Sequence, residues 1–245
     1  MIESDGEKLE RTMRIVVFGA NGPTGRQVLS QALTAGHEVA AVTRHPDQLP
    51  ARERLTVVGA DATSPDGVDA AVAGADAVLS TLGVPYSRKP VSVYSAGTGN
   101  IIAAMRNRGV RRLVVSGTAA VDPGYRASDS VFFTRVMEPL FMRLPGKTVY
   151  ADNRRMETLI RASGLDWTII RACWLFNALA VSDYQVREGT IHGMYTARAD
   201  LAACLLAQLA DNRYLGKAAG VVTTAGPPGL ARQIWREGIR KGKKP

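Results

Sequence analysis

An α/β fold with one doubly wound parallel sheet is what this sequence predicts, on three observations. Short β-branched runs alternate with helical stretches from Arg14 onward, the pattern of a parallel sheet covered on both faces. A glycine-rich turn joins the first run to the first helix, and no repeat or low-complexity linker divides the 245 residues. A chain of this length ordinarily buries one large core, so a single domain is expected.

The elements follow in order. "RIVVF" is a first strand, and "TGRQVLSQALTAG" a helix with Val28, Leu29 and Leu33 at helical spacing and Gly36 as its C-cap. "HEVAAVTR" and "RLTVVGAD" are the second and third strands. A short helix through "PDGVDAAVAG" leads to the fourth strand, "ADAVLSTLG". The helix "SVYSAGTGNIIAAMRNRG" precedes a fifth strand, "VRRLVVSG". The segment from Thr118 to Lys147 begins turn-rich and becomes amphipathic in "SVFFTRVMEPLFMRL", so a substrate lid is expected within 118–148. A helix "DNRRMETLIRASG" and a sixth strand "DWTIIRA" come next. A loop-rich stretch, a helix "ARADLAACLLAQLAD" and a final strand "GVVTTA" complete the order. The division is a flexible extension over 1–12, a nucleotide-binding domain over 13–231 with a small C-terminal substrate-binding part, and a basic tail over 232–245.

Composition narrows the class. The chain is 46% hydrophobic and 22% charged, and no apolar run approaches the roughly 18 residues that cross a bilayer. The opening "MIESDGEKLERT" lacks the basic and apolar regions of a secretory signal, so a cytoplasmic protein without membrane partners is expected. Cys173 and Cys204 sit in apolar stretches without ligand-type spacing and read as reduced, with no metal site. Of the net charge of +9, the tail from Arg232 supplies more than half. The remaining excess suits an anionic cofactor or substrate. A basic tail can touch nucleic acid, but no aromatic platform or recognition motif accompanies it, so a solvated tail is the expectation.

Gly19-Ala-Asn-Gly22-Pro-Thr-Gly25 lies between a strand and a helix. In such a turn the first glycine permits the bend, the second lets amides approach a pyrophosphate, and the third lets helix and strand pack closely. Gly19, Asn21, Gly22, Pro23, Thr24 and Gly25 are therefore the candidate cradle for a dinucleotide, against the alternative of a bare steric turn. The second strand ends in Arg44 and His45, where a basic residue accommodates a 2′-phosphate. NADP(H) is thus expected over NAD(H), the alternative being a solvated loop charge. Asp61, beside Ala62 after the third strand, either accepts from an adenine amino group or caps a turn. Leu82 and Gly83 close the fourth strand, where the backbone can pass near the cofactor.

Together with "VVGADAT", "DAVLSTLG", "NIIAAMRNRGVRRLVVSGTAA" and "LIRASGLDWTIIR", this stretch resembles the atypical short-chain dehydrogenase/reductases of the NAD(P)H-binding, NmrA-like group, and within them the flavin reductase/biliverdin-IXβ reductase type. The resemblance runs from about Arg14 to Thr224 and implies a Rossmann-type fold. It also implies that Ser116, Ala172 and Cys173 border the cofactor, and it aligns Thr118 with an active-site serine of the flavin/biliverdin type. The Tyr-x-x-x-Lys pair of typical members is not matched: no tyrosine is followed four residues later by lysine, and Asn153 falls in the lysine's place. Thr118 and Asn153 either bond an acceptor oxygen or an ordered water, or merely cap their elements. Trp174 either lines an acceptor pocket or packs in the core, and Tyr125, Phe132, Phe133, Met137 and Phe141 either cover an acceptor or pack on the sheet.

Hydride delivered to an isolated ketone makes a strongly basic alkoxide, which a positioned acid relieves by about 10²- to 10⁴-fold. A quinone, flavin or tetrapyrrole delocalises that charge, so solvent can supply the proton. The expectation is an NADPH-dependent reductase of a conjugated aromatic acceptor, the small-molecule partner. The alternatives are a non-catalytic NmrA-like NADP(H)-binding redox sensor, or a lyase or isomerase with tightly held cofactor. Monomer and homodimer both remain open.

Overall fold

The structure, a computed structural model, describes residues 12–85, 89–127 and 144–225. Residues 1–11, the lid candidates Phe132, Phe133, Met137 and Phe141, and the basic tail over 232–245 lie outside the described residues.

Alternation of apolar runs and helices produces the expected winding. The first unit is β1 (Arg14–Phe18), α1 (Pro23–Thr34) and β2 (Glu38–Thr43), followed by β3 (Leu55–Gly59), α2 (Val68–Val72) and β4 (Ala77–Ser80). The second half runs through α3 (Val93–Arg108), β5 (Arg112–Thr118), α4 (Leu144–Arg161), β6 (Asp166–Ala172), β7 (Trp174–Phe176), β8 (Tyr184–Glu188), β9 (Tyr195–Ala197), α5 (Arg198–Ala207) and β10 (Lys217–Thr223). The main sheet has the order β3-β2-β1-β4-β5-β6-β10-β8, and β7 pairs with β9 in a separate two-stranded sheet. All neighbours in the main sheet are parallel except β8, which closes one edge antiparallel to β10. This is a Rossmann-type single-domain fold, and its chain order reverses at β1, where crevices open beyond the strand ends.

Both faces of the sheet are buried, as β-branched strands without polar alternation require. One core gathers Phe18, Val78, Ile101, Met105, Leu113 and Met156 under α2, α3 and α4. The other gathers Ile15, Val17, Leu29, Ile170, Leu201 and Leu205 under α1 and α5. A smaller cluster of Ala119, Tyr125, Ala127, Cys173, Ile191 and Val222 sits beyond the ends of β5 and β6, with Trp174 and Met194 packed against it.

Three sequence expectations are corrected. The helix expected over 152–164 begins at Leu144, because Val149, Met156 and Ile160 continue one buried stripe that the buried polar Asp152, Asn153 and Glu157 interrupt in sequence. Gly36 is not the C-cap of α1; Ala35 is, and Gly36 follows at φ +84° with its N–H on Leu33 O. The loop-rich stretch after β6 holds β7, β8 and β9. Two of these have three residues, too short for an alternation to register, and β8 is an edge strand with Gln185, Arg187 and Glu188 exposed.

Candidate cofactor and acceptor site

The ends of β1, β4, β5 and β6 meet at one rim of the sheet: Phe18 pairs with Ser80, Ser80 with Val115, and Thr118 with Ala172. The three glycines at the first of these ends do different work. Gly19 has φ +75°, and a Cβ there would lie 2.6 Å from Thr81 O. A Cβ on Gly25 would lie 2.2 Å from Gly19 O, inside any contact distance. The turn and the helix–strand contact thus require those two sterically. Gly22 is crowded only to 3.2 Å and has an ordinary φ of −67°. It occupies the N-cap of α1, where Ser, Thr, Asp or Asn would normally satisfy free amides, yet no side chain caps the helix and its first turn holds no acidic residue. Pro23 fills the first helical position, so the amides of Thr24 and Gly25 open the helix beneath an uncapped, electropositive end. This backbone cradle, which a side chain would fill, fits a dinucleotide pyrophosphate.

Around the cradle lies a clasp that the sequence did not reveal. Asn21 donates through Nδ2 to Gln48 Oε1 at 2.6 Å, and Arg26 donates to Asn21 O at 3.2 Å, to Gln48 O at 3.0 Å and to Asn21 Oδ1. It ties the glycine loop to the turn after β2 that carries Arg44 and His45. Both of those side chains are exposed, and His45 begins a one-turn 3₁₀ helix with its N–H on Thr43 Oγ1. Asp61 Oδ1 accepts from the amide and the hydroxyl of Thr63, each at 2.8 Å. Those bonds, aided by the charge of Arg44, hold its carboxyl below the usual range. That is the turn-capping alternative in place, with Ala62 buried beside it and its carbonyl taken by Asn100 at 2.9 Å.

The loop after β4 is held from α3. Gly97 lets α3 approach, since a Cβ there would meet Leu82 Cδ1 at 2.7 Å, and Tyr94 Oη accepts from the Val84 amide at 3.3 Å, just beyond the exposed Gly83. The start of α3 has no cap of its own. Fully buried Asp152 of α4 supplies one, accepting from the amides of Tyr94 and Ser95 at 2.9 and 3.3 Å and from Ser95 Oγ at 2.5 Å.

At the ends of β5 and β6 the expected catalytic pair is occupied locally. Thr118 Oγ1 accepts from the Ala120 amide at 3.3 Å, capping a 3₁₀ turn. Asn153 is buried and donates to Val149 O of its own helix at 3.1 Å. Ser116 is half-buried in β5, and Ala172 and Cys173 are buried at the end of β6. Burial pushes the Cys173 thiol up to about 11 and the Cys204 thiol up to about 12. Trp174 is half-buried, 6.4 Å from the Tyr195 ring.

Beneath these residues lies an ion network, also missed in sequence. Arg171 bonds both oxygens of Glu157 at 2.8 and 2.7 Å and Asp122 Oδ2 at 2.8 Å. Asp122 Oδ1 accepts from Thr190 Oγ1 at 3.0 Å and from the Gly124 amide at 2.9 Å. It joins β6, α4, the turn after β5 and the turn after β8 behind the strand ends. Arg171 is 49 residues from Asp122 and Asp122 is 68 from Thr190, and even Arg171 and Glu157 are 14 apart on different elements, so no local pattern announces them. A cavity of about 450 Å³ lined by Gln185, Val186, Arg187, Ile191 and His192 runs along the β8 edge and includes none of the cofactor candidates. Among the described residues no His, Cys, Asp or Glu group could hold a metal, and no helix is long and apolar enough to cross a membrane.

A Rossmann sheet with a glycine cradle at its switch point defines a dinucleotide-binding protein. The chain belongs to the NAD(P)H-binding family, whose match covers residues 19–212. It is similar to the 3-beta-hydroxysteroid dehydrogenase of Mycolicibacterium neoaurum, 33% identical over 45% of this chain and 33% of that enzyme, so it spans about a third of that relative's length. In structure it is similar to a short-chain dehydrogenase/reductase of Veillonella parvula in complex with NADP, at TM-score 0.73 and 19% identity over 88% of this chain and 96% of that one. It is also similar to ChuY, an anaerobillin reductase from Escherichia coli O157:H7, at TM-score 0.69 and 22% identity over 88% and 100%. Membership supports a nicotinamide cofactor.

Proposed function

We propose that the protein is an NADPH-dependent reductase of a conjugated aromatic acceptor: a quinone-type intermediate, a flavin or a tetrapyrrole. The observation that carries the cofactor is the division among the glycines. Gly19 and Gly25 are required by the fold, while Gly22 leaves a helix N-terminus uncapped at the switch point. The exposed Arg44 at the end of β2 favours the 2′-phosphorylated form. The bound nicotinamide would supply hydride. The amides of Thr24 and Gly25 hold the pyrophosphate, the Asn21–Arg26–Gln48 clasp fixes the turn presenting Arg44, and Ala172 and Cys173 border the reacting ring.

The nature of the acceptor follows from what the rim lacks. The sequence holds no Tyr-x-x-x-Lys, and Thr118 and Asn153 are each engaged with neighbouring backbone. With neither Thr118 nor Asn153 free to act as an acid for an alkoxide, an acceptor that spreads the incoming charge is favoured. The site's contribution is then orientation of two flat rings and exclusion of water. The same engaged side chains also favour a second reading, a redox sensor that binds NADP(H) without turnover.

The test is NADPH oxidation, followed at the reduced-nicotinamide absorbance, with menadione, riboflavin and biliverdin, and with NADH as control. Turnover with one acceptor class is expected. Arg44→Ala should cut the NADPH-over-NADH preference about 10- to 100-fold, the worth of one charge-assisted hydrogen bond. Tight NADPH binding without oxidation by any acceptor would replace the reductase with the sensor.

A further inference from the structure

The small β7–β9 sheet has two unlike faces. Leu175 packs against the core under α1 and α5. Strand alternation and the Trp174–Tyr195 register put Trp174, Phe176 and Tyr195 together on the other face, with ring centroids of Tyr195 6.4 Å from Trp174 and 6.2 Å from Phe176. Trp174 and Phe176 stay partly exposed, whereas Tyr195 is 9% exposed. Its hydroxyl oxygen is buried and has no hydrogen-bond partner among the described residues.

That hydroxyl is an anomaly. Buried phenols normally find a partner, and one left without destabilises the fold. Phenylalanine would fill the same space without that penalty. Three other buried polar atoms share the condition, Ser80 Oγ, Thr98 Oγ1 and Gln208 Oε1, but Tyr195 is the one set among partly open aromatic rings. It is also fixed to the end of β6. Its neighbour Thr196 accepts from the Cys173 amide at 3.0 Å, and its neighbour Met194 accepts from the Trp174 amide at 2.9 Å. The unpartnered donor therefore stands one strand from the residues that border the reacting ring.

We infer that Tyr195 Oη donates a hydrogen bond to a carbonyl oxygen of a flat acceptor that lies against Trp174 and Phe176. The position of the reacting ring rests on the reductase reading; the binding of the carbonyl compound does not. Quinones, isoalloxazines and bilin lactams all carry such an oxygen conjugated to the reducible ring. Hydride brings two electrons and a proton to the conjugated system, the charge gathers on that oxygen, and water supplies the second proton. Tyr195 keeps its own proton throughout, since burial holds its phenol above the ordinary value. Its hydrogen bond strengthens as charge develops, which is how a fixed donor favours a transition state.

The experiment compares wild type with Tyr195→Phe in four readouts: melting temperature without ligand, NADPH affinity, affinity for menadione with NADP⁺ present so that no turnover occurs, and kcat/KM. Acceptor binding is read by tryptophan quenching, with naphthalene as the carbonyl-free control. The variant should melt at the same or a higher temperature and bind NADPH and naphthalene unchanged. It should bind menadione about 3- to 10-fold more weakly and lose about 10- to 100-fold in kcat/KM. A lowered melting temperature with unchanged menadione affinity would make the hydroxyl structural and overturn the inference, as would equal menadione affinity in the two proteins or none in either. If menadione binding depends on Tyr195 but no acceptor oxidises NADPH, this inference stands and the reductase reading falls.

Discussion

At the β1 end of the rim the candidate site is built of backbone; at the β6 end it is built of side chains. Between Gly19 and Gly25 the working groups are amides, placed by steric necessity within seven consecutive residues. From Asp122 through Arg171 to Tyr195 they are a guanidinium, carboxylates and aromatic rings gathered from turns, a helix and three strands. The difference teaches how each half can fail. A backbone cradle breaks when a side chain intrudes, whereas a side-chain assembly breaks when a member leaves and its partners stay buried.

The largest effect falls on the cradle. Gly25→Ala places a Cβ against two backbone groups that cannot swing away, so it should cost more than about 3 kcal/mol, the upper range of overpacking. Urea unfolding that shows less than about 1 kcal/mol would mean the helix–strand contact is not as tight as stated. Next comes the side-chain half. Arg171→Met leaves Asp122 without its ion pair and Glu157 with only the longer contact to Arg161 at 3.3 Å, and removal of one partner of a buried pair costs about 3–5 kcal/mol. NADPH affinity should survive in whatever fraction remains folded, and its loss would join the two halves more closely than the comparison allows.

Alkaline pH probes the side-chain half through Cys173 and the core under α1 and α5 through Cys204. Cys173 titrates near 11 in the folded chain and at an ordinary 9 when unfolded, and Cys204 behaves alike with a folded value of about 12. Above pH 9 the unfolded state therefore releases protons that the native state retains. Stability should fall by about 1.4 kcal/mol per pH unit for each thiol until its folded value is reached. Urea unfolding between pH 8 and 10.5 checks the slope, and the Cys173→Ala/Cys204→Ala variant should lose much of it. A smaller effect, about 1–2 kcal/mol, is expected for Asp152→Ala, which uncaps α3; thermal unfolding measures it. Smallest for stability is Gly22→Ala, below about 1 kcal/mol because its crowding is slight. NADPH affinity in that variant should nonetheless fall at least tenfold, and a titration that finds it unchanged would return Gly22 to a plain turn residue.

The legibility of the two halves follows the same divide. Strand β1 was read to its ends from "RIVVF", and the strand-to-helix turn from seven adjacent letters, because an apolar run and a glycine turn are local causes with local effects. Arg171 was equally visible as a letter, but nothing near it in sequence announces Glu157 or Asp122. Thr118 and Asn153 were chosen by aligned position, and only the fold shows each bonded to its own neighbourhood. Arg26, one place beyond Gly25, could have been noticed as a cation beside a phosphate loop. Its grip on Gln48 depends on how the turn after β2 folds back.

The sequence by itself determined the alternation of strands and helices, the glycine turn and the basic end of β2, since propensity, periodicity and backbone sterics act over a few residues. The tertiary structure decided which glycine the fold can spare, which carboxylates are paired and which buried hydroxyl has no partner. Those depend on distances between residues tens of positions apart, and such distances exist only once the sheet has closed its neighbours together.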